Sequence, residues 1–260
     1  MDTTINNRQA MKRFIIALSI VFLILISSVP IACAPKEVRF SDPELEKVIR
    51  AEINKPEGAI FTSDLEGIVE IIIISGMRIG PPEFISDLTG LEYCINLETL
   101  YLSSTEIHVL SPLASLTKLN MLYIAYSNIN DLSPLASMNN LTMLALMSGE
   151  INDVSPLASL AGLYHLSLDS NQINDIYPLV SLTNLTYFYL DNNQINDVSP
   201  LASLTNLTDL GLRNNQVTDI SPLLSLDKLQ SVSLDGNPLS TASIEVYIPQ
   251  LEERGVSVFW

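Results

Sequence analysis

His165, Asp169 and Asp191 are of the types that move protons in general acid–base catalysis. Asp131, Asp153, Asp175, Asp197 and Asp219 form a column of carboxylates at a spacing of 22 residues. Stacked carboxylates suggest calcium, but none stands in the cluster of oxygen ligands that a calcium loop supplies. They are therefore expected to cap the turns that follow them. The cysteines, Cys33 and Cys94, and the histidines, His108 and His165, lie far apart and show no zinc-ligand spacing. No nucleophile with an orienting third group accompanies His165. No catalytic residue, metal or cofactor is assigned, and the reading is non-enzymatic. The side chains left to explain are tyrosines and methionines, which suit contact more than reaction.

Bulk composition narrows the partners. The chain has 260 residues, 47% hydrophobic and 16% charged, enough to bury a substantial core. A formal net charge of −16 opposes a nucleic-acid partner, because phosphate binding needs a basic field.

Residues 14–32 carry no charge and follow Lys12 and Arg13, the pattern of an export signal. The apolar run stops at Ala32 and Cys33, and a small residue before a cysteine resembles a bacterial lipobox, with Cys33 as the lipidated first residue of the mature chain. Pro30 stands where such motifs usually carry leucine, and Met11 is an alternative start to Met1. A cleaved secretory signal and an uncleaved anchor are the other readings. All three put the rest of the chain outside the cytoplasm, lipid-anchored, membrane-anchored or secreted.

The elements that must position the contact residues come from a repeat. Leu97, Leu119, Leu141, Leu163, Leu185, Leu207 and Leu229 each lie 22 residues from the last, giving seven copies without insertion. A second column holds Leu100, Leu122, Leu144, Leu166, Phe188, Leu210 and Val232, and a third holds Leu102, Ile124, Leu146, Leu168, Leu190, Leu212 and Leu234. Leucines two apart make a short strand with one inward face. Serine-proline segments such as Ser199-Pro200 predict a short 3-10 turn on the opposite side, with serine as N-cap and proline in the first turn. One coil cannot bury its leucines alone, so the coils stack. The expected fold is an α/β solenoid, a right-handed superhelix with a parallel sheet on its concave face.

This pattern resembles the bacterial leucine-rich repeats of the internalin type, and the phosphatase-regulatory subunits that share the 22-residue class. The resemblance runs from Ser41 to Trp260. It implies a non-enzymatic, monomeric surface module that recognises a protein partner through the concave face. It also implies that Asn171, Asn193, Asn215 and Asn237 form a ladder of hydrogen bonds to loop backbone. Thr105, Ser127 and Gly149 replace asparagine in the first three repeats, whose loops should be less well tied.

Solenoids need caps. The front cap reads as a helix with Ser41 as N-cap and Glu44 completing a capping box, and Leu45, Val48, Ile49 and Ile53 on its apolar face. Ile68, Ile71 and Ile73 then fit a degenerate repeat with an inserted loop around residues 76–84, and Cys94 falls in a core column. At the back, Thr241 to Arg254 reads as a helix stopped by Gly255, followed by a last strand. The chain thus divides into a signal (1–33), a linker (34–40), the cap and degenerate repeat (41–96), the repeats (97–238) and the C-terminal cap (239–260).

Strand alternation sends the remaining columns to the concave surface. Tyr101, Met121, Tyr123, Met143 and Met147 gather in the front half, with Tyr126 just beyond its strand. Asp169, Asp191 and Arg213 belong to a polar back half, and His165, Tyr187 and Tyr189 lie at the seam. In the run Tyr187-Phe188-Tyr189, Phe188 is core and both tyrosines face out. Exposed tyrosine and methionine are what protein interfaces enrich. Glycan recognition is a variant, since aromatic and carboxylate groups also suit sugars, and a scaffold without a specific ligand is the competing class.

Overall fold

The computed structural model describes residues 35–74, 84–103 and 106–260. The expected export signal, Cys33, Thr105 and most of the expected inserted loop lie outside the described residues.

The leucine pairs produce the strands they predict. β1 (Glu37–Val38) and β2 (Ile60–Phe61) pair antiparallel in the front cap. Among the described residues the main sheet has nine parallel strands in chain order. They are β3 (Glu70–Ile74), β4 (Thr99–Ser103), β5 (Met121–Ala125), β6 (Met143–Met147), β7 (His165–Ser167), β8 (Tyr187–Tyr189), β9 (Asp209–Gly211), β10 (Ser231–Ser233) and β11 (Ser257–Phe259). Each strand pairs with the equivalent positions of the next, Leu144 with Leu166 and Leu166 with Phe188. The inward leucines join one continuous buried cluster that runs from Val38 to Val256. Burying a large apolar side chain is worth about 1.5–3 kcal/mol, so seven equivalent coils stabilise one another through shared area.

Opposite the sheet, the serine-proline segments form 3-10 turns, such as Ser133–Leu135 and Ser199–Ser203, with proline in the first turn. Serine is not their N-cap. The residue before it, such as Leu132 or Val198, holds that place without a side-chain bond. The aspartate two positions before the serine does the work instead: Asp131 Oδ1 accepts the Ser133 N–H and Asp197 Oδ1 the Ser199 N–H, each at 2.8 Å. A carboxylate accepts such a bond more strongly than a hydroxyl does. The bond to the Ser133 N–H holds the Asp131 carboxyl below its ordinary range. The capping role expected of the aspartate column is what the fold uses.

The front cap corrects two expectations. Helix α1 (Pro43–Glu52) is capped by Asp42, not Ser41; Asp42 Oδ1 accepts the N–H groups of Glu44 at 2.8 Å and Leu45 at 3.1 Å. Pro43 at the first helical position favours this start, since its missing donor needs no partner. Asp42 Oδ2 also accepts the Ser86 N–H at 2.8 Å, which pins the helix to the chain behind it. The expected linker belongs to the cap from Glu37 onward, because Val38 and Phe40 are buried. Phe40 packs where Gly90, at φ +107, carries no side chain; a Cβ there would sit 2.4 Å from the ring. Helix α2 (Thr62–Leu65) completes this end.

Ile71 and Ile73 pair with Leu100 and Leu102, as the degenerate repeat requires. Cys94 is fully buried, and burial with the nearby Glu92 charge pushes its thiol up to about 12. At the back, residues 241–253 are helical, with a π turn at Ser243–Tyr247 leading into α3 (Ile248–Glu253), and Gly255 ends the run. Buried Ser243 donates to the Thr218 carbonyl and accepts the Ile220 N–H, tying this helix to the last repeat. Among the described residues no helix is long and apolar enough to cross a membrane.

Candidate functional site

The sheet strands carry Tyr101, Met121, Tyr123, Met143, Met147, His165, Tyr187 and Tyr189, whereas Tyr126, Asp169, Asp191 and Arg213 follow their strands. Register fixes one row as Met121, Met143, His165 and Tyr187, each the paired neighbour of the last. A second row runs Ile72, Tyr101, Tyr123, Ala145, Ser167, Tyr189 and Gly211. Met147 pairs with Ala125 at the strand ends.

Two aromatic groups result. The Tyr101 and Tyr123 rings stack at 4.1 Å and within 4° of parallel. Their separation is set by the strand spacing, about 4.8 Å. Burial, followed by the hydrogen bond to Tyr101, pushes the Tyr123 hydroxyl up to about 12. The second group centres on His165, whose ring lies 5.8 Å from Tyr187 and 5.6 Å from Tyr189, tilted to both. Burial holds His165 below the usual histidine range, so the imidazole is neutral at pH 7. Phe188 between these tyrosines is fully buried while Tyr187 is 38% exposed, which is the predicted alternation.

The carboxylates behave differently from what a catalytic reading requires. Asp169 could orient His165, but its Oδ2 accepts the Ser167 hydroxyl at 2.8 Å and its Oδ1 the Asp191 N–H at 2.7 Å. Asp191 Oδ1 accepts the Arg213 N–H at 2.8 Å. Each carboxylate thus holds the backbone of the next repeat. Burial pushes both carboxyls above their ordinary range against these bonds. Arg213 is not drawn into the aromatic group; its guanidinium pairs with Asp235 at 3.0 Å in an exposed bridge.

Tyr126 stands apart at φ +58, a left-handed conformation that the equivalent residues Ser148, Ser170, Asn192 and Asn214 share. Asparagine accepts this region readily and a tyrosine rarely does. Its ring is 66% exposed beside the patch.

The asparagine ladder is present as the resemblance implied. Asn193 Nδ2 donates to the Leu168 and Leu190 carbonyls at 3.0 Å each, and its Oδ1 accepts the Ile173 N–H at 3.0 Å. Each asparagine therefore serves its own loop and the preceding one. For that reason the loop at Gly149 is tied after all: Asn171 takes the Leu146 carbonyl at 2.9 Å and the Ile151 N–H at 3.2 Å.

Sequence reasoning missed Ile72, 52% exposed beside Tyr101, and Phe259, 49% exposed beside Ser233. Asp209, which strand alternation sends to the polar back half, stands next to Tyr187 in register. Ile72 was within reach, since it alternates with two isoleucines already assigned to the core.

With the geometry in place, likeness to known proteins can be weighed. The family profile described as Leucine Rich repeats (2 copies) matches residues 95–137, 162–203 and 205–245. The crystal structure of internalin C2 from Listeria monocytogenes is 35% identical, with a TM-score of 0.74, over 85% of this chain and 92% of that one. The chain belongs to the internalin-type leucine-rich repeat family. A second Listeria monocytogenes internalin, InlF, matches at 28% identity and TM-score 0.54 over 88% of this chain and 78% of that one. A leucine-rich repeat protein of Leptospira interrogans shares the fold at 24% identity and TM-score 0.64, over 76% of this chain and half of its own length. No curated protein sequence matches. As in any leucine-rich repeat solenoid, the repeated columns of this internalin-type chain account for its fold.

Proposed function

We propose that this is an exported, non-enzymatic binding module that recognises a protein partner through the outward, concave face of its sheet. One observation carries the reading: Ile72, Tyr101, Tyr123, Met121, Met143 and Tyr187 form adjoining rows on a sheet face, with Ile72 52% and Tyr187 38% exposed. Apolar surface gathered in this way favours association, and tyrosine and methionine give much contact area. The carboxylates, already committed to hydrogen bonds with the next repeat, support a contact role over a catalytic one.

Substituting Tyr123, Met143 and Tyr187 together with alanine should abolish partner capture by intact cells. Unchanged capture would overturn the reading. The uncharged run at 14–32 and the lipobox-like end at Cys33 support membrane attachment through a lipid. Mass spectrometry of the mature N-terminus should find a lipid-modified chain beginning at Cys33. An unmodified chain beginning elsewhere would overturn the anchor.

A further inference from the structure

The outward face is divided in charge as well as in polarity. From β4 to β6 its three columns hold no charged residue, whereas from β7 to β10 they hold Asp169, Asp191, Asp209 and Asp235 against Arg213 alone. Arg213 is already paired with Asp235. The Arg213 charge also favours the Asp191 carboxylate, but among the described residues neither Asp191 nor Asp209 forms a side-chain ion pair.

The packing around Gly211 gathers them. A Cβ on Gly211 would lie 2.8 Å from Asp191 Oδ1 and 3.0 Å from Tyr189 Cδ1, so the missing side chain lets the ring and the carboxylate close over this backbone. Asp209 occupies the same strand two residues earlier, and its Oδ2 accepts the Thr208 hydroxyl at 2.6 Å. Burial, then the charges of Asp209, Tyr187, Asp169 and Asp191, pushes the Tyr189 hydroxyl up. An aromatic ring beside two carboxylates suits a lysine or arginine, through charge pairing and the cation–π interaction. Covering the same carboxylates with an apolar partner would cost desolvation without return.

We infer that the face takes a two-part protein segment, an apolar anchor over β4–β6 followed by a lysine or arginine over β8–β9 that meets Tyr189, Asp191 and Asp209. This rests on the concave face being the binding face. The net charge of −16 adds long-range steering toward a basic partner.

The test is selection of a random-peptide display library on cells carrying the full chain. Bound clones are compared on three variants: the triple Tyr123, Met143, Tyr187 substitution to alanine, Asp191→Asn with Asp209→Asn, and a double control at Asp131 and Asp153. Asparagine keeps an acceptor for the Arg213 N–H, and thermal unfolding of each variant checks folding. Enriched peptides should join an aromatic or aliphatic residue to lysine or arginine. They should weaken about tenfold on the Asp191/Asp209 variant, lose salt sensitivity there, and be unaffected by the control. Peptides that need the tyrosine-methionine patch but are neutral, and bind the Asp191/Asp209 variant equally, would overturn the inference while leaving the binding face intact. Peptides indifferent to the triple substitution would overturn both.

Discussion

The front and back halves of the sheet solve the same packing problem with different chemistry. β4, β5 and β6 each run five residues, while β7 to β10 run three. The inward leucines are equivalent throughout, so core packing does not explain the difference. Side chains do. In the back half Asn171 and Asn193 both donate to the Leu168 carbonyl, and the Asp191 N–H turns to Asp169. Backbone groups that would extend the ladder are taken by asparagine and aspartate, and the strand ends early. The front half lacks both residues at its own positions, and its outward positions are tyrosine and methionine. Apart from the Leu146 carbonyl and Ile151 N–H held by Asn171, it has no such side-chain ties among the described residues. Where polar side chains hold the loops the face is structural in part, and where they do not the face is apolar.

This contrast can be broken by substitution. The largest effect is expected for Asn193→Ala, which orphans the buried Ile173 N–H and leaves the Leu168 and Leu190 carbonyls one donor each, from Asn171 and Asn215, and should cost about 1–3 kcal/mol. Ser127→Ala, the front-half equivalent, should cost under about 1 kcal/mol in the same denaturant titration. Equal losses would mean that the halves are held alike. Next comes Gly211→Ala. Exchanging glycine for alanine in a strand normally gains about 0.5–1 kcal/mol, but here the methyl meets Asp191 and Tyr189 and overpacking outweighs that gain. A net loss of about 1–2 kcal/mol is expected, and stabilisation would show that the close approach is slack.

Smaller effects should appear with pH. Burial raises the Asp42 carboxyl, but its bonds to the N–H groups of Ser86, Leu45, Glu44 and Asp87 outweigh this and leave it below its ordinary value. Its stabilising contribution is present above the unfolded pKa and is lost as pH falls through the folded one. Asp169 is raised by burial, so the folded state binds that proton more tightly and stability is regained as pH falls through its folded pKa. Asp42→Asn should therefore flatten the acid loss, and Asp169→Asn should remove the opposing gain. Matching profiles from unfolding between neutral and acid pH would contradict these signs.

The leucine columns made the solenoid, its register and the split between Phe188 and its flanking tyrosines legible, because a strand's period of two admits one assignment. The asparagine ladder was legible from the family resemblance. The sequence was less informative where two neighbouring residues could each cap: Ser41 and Asp42 both can, and Pro43 settles the start in favour of Asp42. The serine-proline turns misled for the same reason, since a carboxylate two residues earlier outcompetes the hydroxyl. The carboxylate chain from Asp169 to Asp191 to Arg213 joins residues 22 apart and depends on side-chain rotamers. The close packing over Gly211 depends on how Asp191 and Tyr189 lean toward it. Neither leaves a pattern in one sequence.

The central claim is a division of labour between the two halves, and paired readouts test it most directly. Thermal unfolding and partner capture by intact cells should be measured on Tyr123→Ala with Met143→Ala, and on Asn193→Ala. The front pair should unfold within a few degrees of the natural chain, about 1 kcal/mol or less, and lose capture. Asn193→Ala should unfold clearly earlier yet retain capture at temperatures where it is folded. A front pair that unfolds as early as Asn193→Ala while capturing normally would contradict the account.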